Sequence, residues 1–254
     1  MIYYPLSLLM AAKVRDFQII TTPAQETLFK DLLKDGSQWG ISIQFVIQAE
    51  PTGIPDAFLL TRKKIDGKKT IMSLGDNIFY GSQMGSRINE NSGSEGAHIY
   101  GYQVNDVSNF GALTISENKI VKLEEKPKNQ GLGYAVPGLY HFDENVVDFC
   151  EQLRPSARGE LEIIDLLKRY LENGDLDYTI LDRGTAWLDT GTHEDMFAAS
   201  ELVRVIQTRQ GMLVGSPEEV AYRNGWITSF ELEKLASGMT SSPYYKSILN
   251  LIKG

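Results

Sequence analysis

Hydrophobic and polar positions along the first eighty residues alternate between two periods. An apolar stretch over 5–14 carries Pro5 in its first turn, where a missing N–H costs nothing, and predicts a helix. Asp16-Phe17-Gln18-Ile19-Ile20-Thr21 predicts a short buried strand. Thr22-Pro23-Ala24-Gln25 has the form of a capping box that opens a second helix, and Asp35-Gly36 closes it. The run from Ile41 to Ile47 alternates as a strand should, a helix follows over 55–64, and Thr70-Ile71-Met72-Ser73-Leu74 forms an apolar strand entering Gly75-Asp76-Asn77. Strand, helix, strand, helix, strand at these spacings predicts a parallel sheet with crossover helices.

Past residue 96 the pattern changes. Strands over 97–103, 111–115, 120–124 and 134–142 follow with short connections, and Ser116-Glu117-Asn118-Lys119 is a hairpin turn. A helix over 160–172, strands over 178–182 and 186–188, and a helix over 193–209 return to α/β alternation. From Pro217 onward the pattern is helical, with Thr228-Ser229-Phe230-Glu231 as one start signal. Ser92-Gly93-Ser94-Glu95-Gly96 is too short a loop to separate domains. The expected organisation is one α/β unit over 1–210 with a mainly helical appendage over 211–254.

Composition narrows the class without naming a function. The chain has 254 residues, of which 42% are hydrophobic and 23% charged, ordinary values for a soluble globular protein. No apolar run is long enough to span a bilayer, and Met1-Ile2-Tyr3-Tyr4-Pro5 lacks the basic start of a secretion signal, so no membrane role is expected. Cys150, the one cysteine, sits in an apolar stretch and has no internal partner, which points to the core and to a cytoplasmic setting. A net charge of −8 argues against a binder of nucleic-acid polymers. It leaves room for a single nucleotide, held by local donors and a metal.

Candidate chemistry gathers at strand ends, where ligands collect in open α/β sheets. Asp76 follows one apolar run and Asp189 another, Ala186-Trp187-Leu188, and each precedes residues that turn the chain. Two carboxylates at one sheet rim are a natural seat for Mg2+, which takes one or two carboxylates and leaves its other positions to water and phosphate. The plainer alternative is that each aspartate caps its own turn. Glu124-Glu125-Lys126-Pro127 could present an ammonium to a phosphate and a carboxylate to sugar hydroxyls. Taken alone it is more simply a solvated charge cluster. Arg158 could reach a phosphate or cap a neighbouring turn. His98, His141 and His193 have no metal-ligand spacing and are structural.

In order, these motifs resemble the glucose-1-phosphate thymidylyltransferases, which make dTDP-glucose for deoxysugar pathways such as rhamnose. The resemblance rests on Asp35-Gly36-Ser37-Gln38-Trp39-Gly40, Leu74-Gly75-Asp76-Asn77-Ile78-Phe79-Tyr80-Gly81, Glu124-Glu125-Lys126-Pro127, Pro155-Ser156-Ala157-Arg158-Gly159-Glu160-Leu161-Glu162 and Trp187-Leu188-Asp189-Thr190-Gly191-Thr192. It implies an α/β fold of the GT-A or Rossmann-like kind, a mixed sheet flanked by helices. It also implies a metal site at Asp76 and Asp189 and a nucleotide site at Gln48, Gly53 and Asp76. Gly111, Glu125, Lys126, Val136 and Tyr140 would line the sugar-phosphate site, with Asp76, Asp189, Lys126 and Arg158 as the catalytic set. The implied partners are dTTP, glucose 1-phosphate and dTDP-glucose, with Mg2+ as cofactor. Family members are commonly homotetramers with a second, regulatory nucleotide site.

Three departures stand out. The family opens with a strand and a loop of the form G-G-x-G-T-R, and residues 1–254 contain neither. That strand is central, between those expected at 16–21 and 70–74, so its loss leaves them with unpaired backbone or forces them together. The loop cradles the triphosphate, and each such group is worth on the order of 10²–10³ in rate. The expected turnover of the 254-residue protein is therefore at or near background, and a catalytically inactive relative that binds sugar nucleotide, or acts as an oligomer partner, is the alternative. Asp56, in Gly53-Ile54-Pro55-Asp56-Ala57, sets a carboxylate near the nucleotide and is expected to weaken dTTP binding. Pro137 removes a backbone donor beside the sugar.

Overall fold

The first strands and helices form in the expected order, with ends shifted by a few residues. The computed structural model of the protein describes residues 1–128, 131–237 and 241–253. Helix α1 (Tyr3–Ala11) buries Leu6, Leu9 and Met10 and precedes β1 (Asp16–Thr21). Helix α2 (Glu26–Leu33) carries the chain to β2 (Ser42–Ile47), which pairs with β1 in parallel, Asp16 opposite Ser42 and Thr21 opposite Ile47. The capping box at its start does not form: the Thr22 carbonyl, not its hydroxyl, accepts from the Gln25 and Glu26 N–H groups. Gly36, at φ +79°, turns the chain after α2. Helix α3 (Asp56–Ile65) then leads to β3 (Thr70–Ser73).

A strand not expected from the sequence follows at once. Strand β4 (Asn77–Tyr80) leaves the turn at Gly75-Asp76 and is succeeded by α4 (Met84–Asn91). The main sheet is built from β5 (Ala97–Val104), β6 (Gly111–Ser116), β7 (Lys119–Glu125), β8 (Gly133–Ala135) and β9 (Leu139–Phe142), together with β3. Its strand order is β3-β9-β5-β8-β6-β7, and β10 (Leu176–Ile180) adds to β5 in parallel. The β6–β7 hairpin turns on Glu117 and Asn118 at φ +50° and +59°, the left-handed pair that such a two-residue turn requires. The single strand expected over 134–142 is two: Pro137 has no N–H to give the ladder, and the chain steps from pairing with β6 to pairing with β3. Helices α5 (Val146–Glu151) and α6 (Ile163–Asn173) cover the sheet, α6 burying Ile164, Leu166, Leu167 and Tyr170.

Strand β11 (Ala186–Asp189) pairs antiparallel with β4, and α7 (His193–Gln210) packs behind it, capped by the Thr192 hydroxyl, which accepts from the Asp195 N–H. Helices α8 (Pro217–Arg223), α9 (Ser229–Ser237) and α10 (Pro243–Lys253) follow. The Thr228 box does form at α9, with Glu231 reaching back to the Thr228 N–H at 2.7 Å. Ala221, Ile227, Leu232, Ala236 and Ile248 of this segment belong to the same apolar cluster as Leu6, Met10 and Phe17. No helix among the described residues is long and apolar enough to cross a membrane.

Strands β1 and β3 do not meet. Among the described residues β1 pairs only with β2, and β3 only with β9. Between them, under α1 and α3, runs a cavity of about 800 Å³ lined by consecutive residues of both strands, so each turns an unpaired edge to it. Gln18 Oε1 and Thr21 Oγ1 of β1, with Thr70 Oγ1 and Ser73 Oγ of β3, are buried without a hydrogen-bond partner. Of the two outcomes expected for these strands, open edges rather than closure is what the structure adopts.

Candidate active site

Asp76 and Asp189 are neighbours because β4 and β11 run antiparallel. Asp189 lies opposite Asn77, and the next rung is closed by Thr190, whose N–H and hydroxyl both donate to the Asp76 carbonyl, at 3.1 and 2.7 Å. The aspartates therefore flank one short rung: Asp76 starts β4 from the turn after β3, and Asp189 ends β11. Asn77 locks the rung in place. Its side chain is buried, and its Oδ1 accepts from the Gly138 N–H at 3.0 Å and from Trp187 Nε1 at 2.7 Å. Nothing in the sequence separates this Asn from an ordinary turn residue; only its burial does.

The aspartates keep open valences. Asp76 Oδ1 accepts from the Asn77 amide at 2.8 Å, and Asp189 Oδ1 accepts from the Gly191 N–H at 3.1 Å. Among the described residues no hydrogen bond reaches the second oxygen of either. Burial, and then the Asp76 charge, push the Asp189 carboxyl above its ordinary pKa. Two carboxylates that repel each other at a rim, each with a free oxygen, fit a small dication, which would relieve the repulsion. Among the described residues no group of three His, Cys, Asp or Glu could hold a metal, so any ion here would complete its shell with water or substrate oxygens.

The sugar-phosphate candidates converge on the same rim. Gly111 and Glu125 face each other across β6–β7, and the Gly111 carbonyl accepts from the Val136 N–H at 2.7 Å. A Cβ on Gly111 would stand 2.7 Å from the tip of the Ile164 side chain, which would have to shift, so β6 packs closely on α6 here. Burial raises the Glu125 carboxyl, a shift opposed by Lys126 and reinforced by Glu162. Lys126 itself stands exposed at φ +43°, its N–H donating to the Phe110 carbonyl. Its charge also acts on Asp189, so it stands within reach of both halves of the cleft. Tyr140 is buried beneath them; burial raises its phenol strongly, and the charges of Glu125 and Asp76 raise it further. The phenol thus feels the charge of both carboxylates.

Arg158 is placed differently from a free phosphate ligand. Its guanidinium pairs with Glu162 at 2.9 and 2.8 Å, and its charge still lowers the neighbouring Glu125. The i,i+4 spacing in Arg158-Gly159-Glu160-Leu161-Glu162 was the available signal for that pair.

Gln48 lines the cavity, as does Ile54 next to Gly53, and the cavity reaches Gly75 next to Asp76. Gly53 has its own reason to lack a side chain: at φ +105° a Cβ would stand 2.1 Å from the Leu161 carbonyl oxygen. A parallel bridge from Gly53 to Leu161 ties the β2 side of the molecule to the segment that enters α6. His98 and His141 are structural, buried around Tyr100, which shares a 3.0 Å hydrogen bond with His141. Burial holds the His141 pKa down to about 3. Burial likewise pushes the Cys150 thiol up to about 12, that of an inert core cysteine.

Residues 1–205 match the model of a family described as nucleotidyl transferase. The chain is 44% identical, over its whole length and 86% of the relative, to a glucose-1-phosphate thymidylyltransferase of Xanthomonas campestris pv. campestris. It is 44% identical, over its whole length and 88% of the relative, to one of Neisseria meningitidis serogroup A. Among solved structures it superposes with a TM-score of 0.73 and 33% identity on a Bacillus anthracis protein provisionally named glucose-1-phosphate thymidylyltransferase, solved with sucrose. That match covers 80% of this chain and 82% of the other.

Proposed function

The chain belongs to the nucleotidyl transferase family, and from that premise we propose that it handles thymidylyl transfer: dTTP and glucose 1-phosphate on one side, dTDP-glucose and pyrophosphate on the other. The observation that carries this reading is the gathering of Asp76, Asp189, Glu125, Lys126 and Tyr140 towards one rim, from the three strands β7, β9 and β11, the turn before β4 and the residue after β7. In the reaction, a phosphate oxygen of glucose 1-phosphate forms a bond to the α-phosphorus of dTTP, and the bond to pyrophosphate breaks in line. Lys126 offsets phosphate charge, Glu125 accepts sugar hydroxyls, and Gly111, Val136 and Tyr140 shape the sugar pocket. Gln48 and Gly53 border the base, and Arg158, swung from Glu162, can meet a phosphate. Asp76 and Asp189 would hold Mg2+, which when bound supplies neutralisation of the phosphate charge. No covalent intermediate is needed; positioning and charge carry the catalysis.

The same reading makes the protein a cytoplasmic homo-oligomer, a tetramer as in the family, that supplies dTDP-glucose for rhamnose-type deoxysugars. A second reading, a non-catalytic binder of sugar nucleotide, is favoured by the open cavity between β1 and β3. Calorimetric titration of the purified 254-residue protein with dTDP-glucose, with and without Mg2+, tests what both share. Magnesium-dependent binding that glucose 1-phosphate competes away is expected, and no binding would sink the reading. Pyrophosphate release from dTTP and glucose 1-phosphate then separates the two. Release supports the transferase, and binding without release supports the binder.

A further inference from the structure

Asp56 was expected only to repel a nucleotide, yet its carboxylate has a partner. Gln48 Nε2 has three oxygens within 3.2 Å: Thr52 Oγ1 at 3.0 Å, the Gly53 carbonyl at 3.0 Å and Asp56 Oδ2 at 3.2 Å. The Thr52 hydroxyl donates to the same Asp56 oxygen at 2.5 Å, so towards Gln48 it can only accept. All three oxygens are therefore acceptors, which decides which way the carboxamide points. Turned over, Gln48 Oε1 would face a carboxylate, a carbonyl and a hydroxyl lone pair, with no proton among them.

The consequence lies on the other side of the amide. Gln48 Oε1 accepts no hydrogen bond from the described residues, and it is not among the buried atoms without partners, so it stands open beside the cavity that Gln48 lines. An amide whose N–H groups donate to a carboxylate carries more negative charge on its oxygen and accepts more strongly. We propose that Asp56 is a positioning residue for base recognition: it holds Gln48 with its oxygen outward, so that this position demands a ring N–H from the base. Thymine and uracil supply one at N3, between two carbonyls. Cytosine presents a bare N3 lone pair at the same place. This rests on the reading that Gln48 borders the base, and it gives Asp56 a role in selecting the base.

The test compares dTDP with dCDP as probes, titrated into the unaltered protein, Asp56→Ala and Asp56→Asn. The unaltered protein should prefer dTDP. In Asp56→Ala that preference should fall by roughly tenfold, the weight of one hydrogen bond. In Asp56→Asn, whose carbonyl oxygen can take the same two donors, it should return to within about twofold. Side-chain amide NMR signals of Gln48, identified by their loss in Gln48→Glu, should move in Asp56→Ala and stay near their original positions in Asp56→Asn; a purely structural role for Asp56 predicts no such rescue. If Asp56→Ala keeps the full preference, or the Gln48 signals do not move, the proposal is overturned while thymidine binding stands. If the unaltered protein binds neither nucleotide, the reading of the base site fails, and the role of Asp56 falls with it.

Discussion

The two sides of the cleft are built to different standards. On the side proposed for the sugar phosphate, seven strands share one sheet, α6 seals its face, and the loop through Gly138 is pinned by Asn77. On the side proposed for the nucleotide, β1 and β2 form a sheet of two, a cavity of about 800 Å³ separates them from β3, and polar atoms on both facing strands lie buried without partners among the described residues. A two-stranded sheet is marginal alone. It is held here by α1, α2 and the single bridge from Gly53 to Leu161. The lesson is that one side of a cleft can be tightly built while the other holds its side chains beside unpaired strand edges.

That contrast can be broken by cutting the bridge. Gly53→Ala would drive a Cβ into the Leu161 backbone and should cost on the order of 4 kcal/mol in urea unfolding. Gly67→Ala is the control: it shares a positive φ, at +66°, but nothing lies within 4 Å, and it should cost about 1 kcal/mol. Equal losses at the two positions would mean that the bridge carries nothing. Asn77→Ala strikes the well-built side. It strands two buried donors, Gly138 N–H and Trp187 Nε1, and should cost about 3 kcal/mol by the same measurement. A loss under 1 kcal/mol would show the clamp to be dispensable.

The smallest effect has an opposite sign at two threonines that line the same cavity, one without a hydrogen-bond partner among the described residues and one with. Thr70→Val replaces a buried hydroxyl without a partner by a methyl and should raise stability by up to about 1 kcal/mol. Thr61→Val removes a hydroxyl that donates to the Ala57 carbonyl at 2.6 Å and should lower it by about 1 kcal/mol. If thermal unfolding moves the same way in both, the unpartnered hydroxyl at the cavity edge carries no cost.

Much of the fold was legible because hydrophobic period tracks element type: β1, β2, β3, the β6–β7 hairpin and α7 all lie where the pattern puts them. The errors have local causes. Strand β4 is short and emerges from a polar turn, so the hydrophobic pattern gave no separate sign of it. The strand through Pro137 was one run of apolar residues, and only its change of partner splits it. Thr22 had the spelling of a capping box, but backbone carbonyls took the bonds instead. Within the site, residue types were legible and partnerships were not. Asp76 and Asp189 meet through an antiparallel register between strands more than a hundred residues apart. The Gln48–Thr52–Asp56 triad depends on the loop that brings Gly53 to Leu161.

The central claim is that Asp76 and Asp189 act as one seat for a divalent cation. Titration with Mn2+, read from the loss of its free-ion electron paramagnetic resonance signal in the presence of glucose 1-phosphate, measures it directly. The account predicts one site, weakened at least tenfold by either Asp76→Asn or Asp189→Asn. Its affinity should decline on acidification at a higher pH than an ordinary aspartate would give, because the Asp189 carboxyl, raised by burial and by Asp76, takes up a proton early. Unchanged Mn2+ affinity in either variant would contradict it.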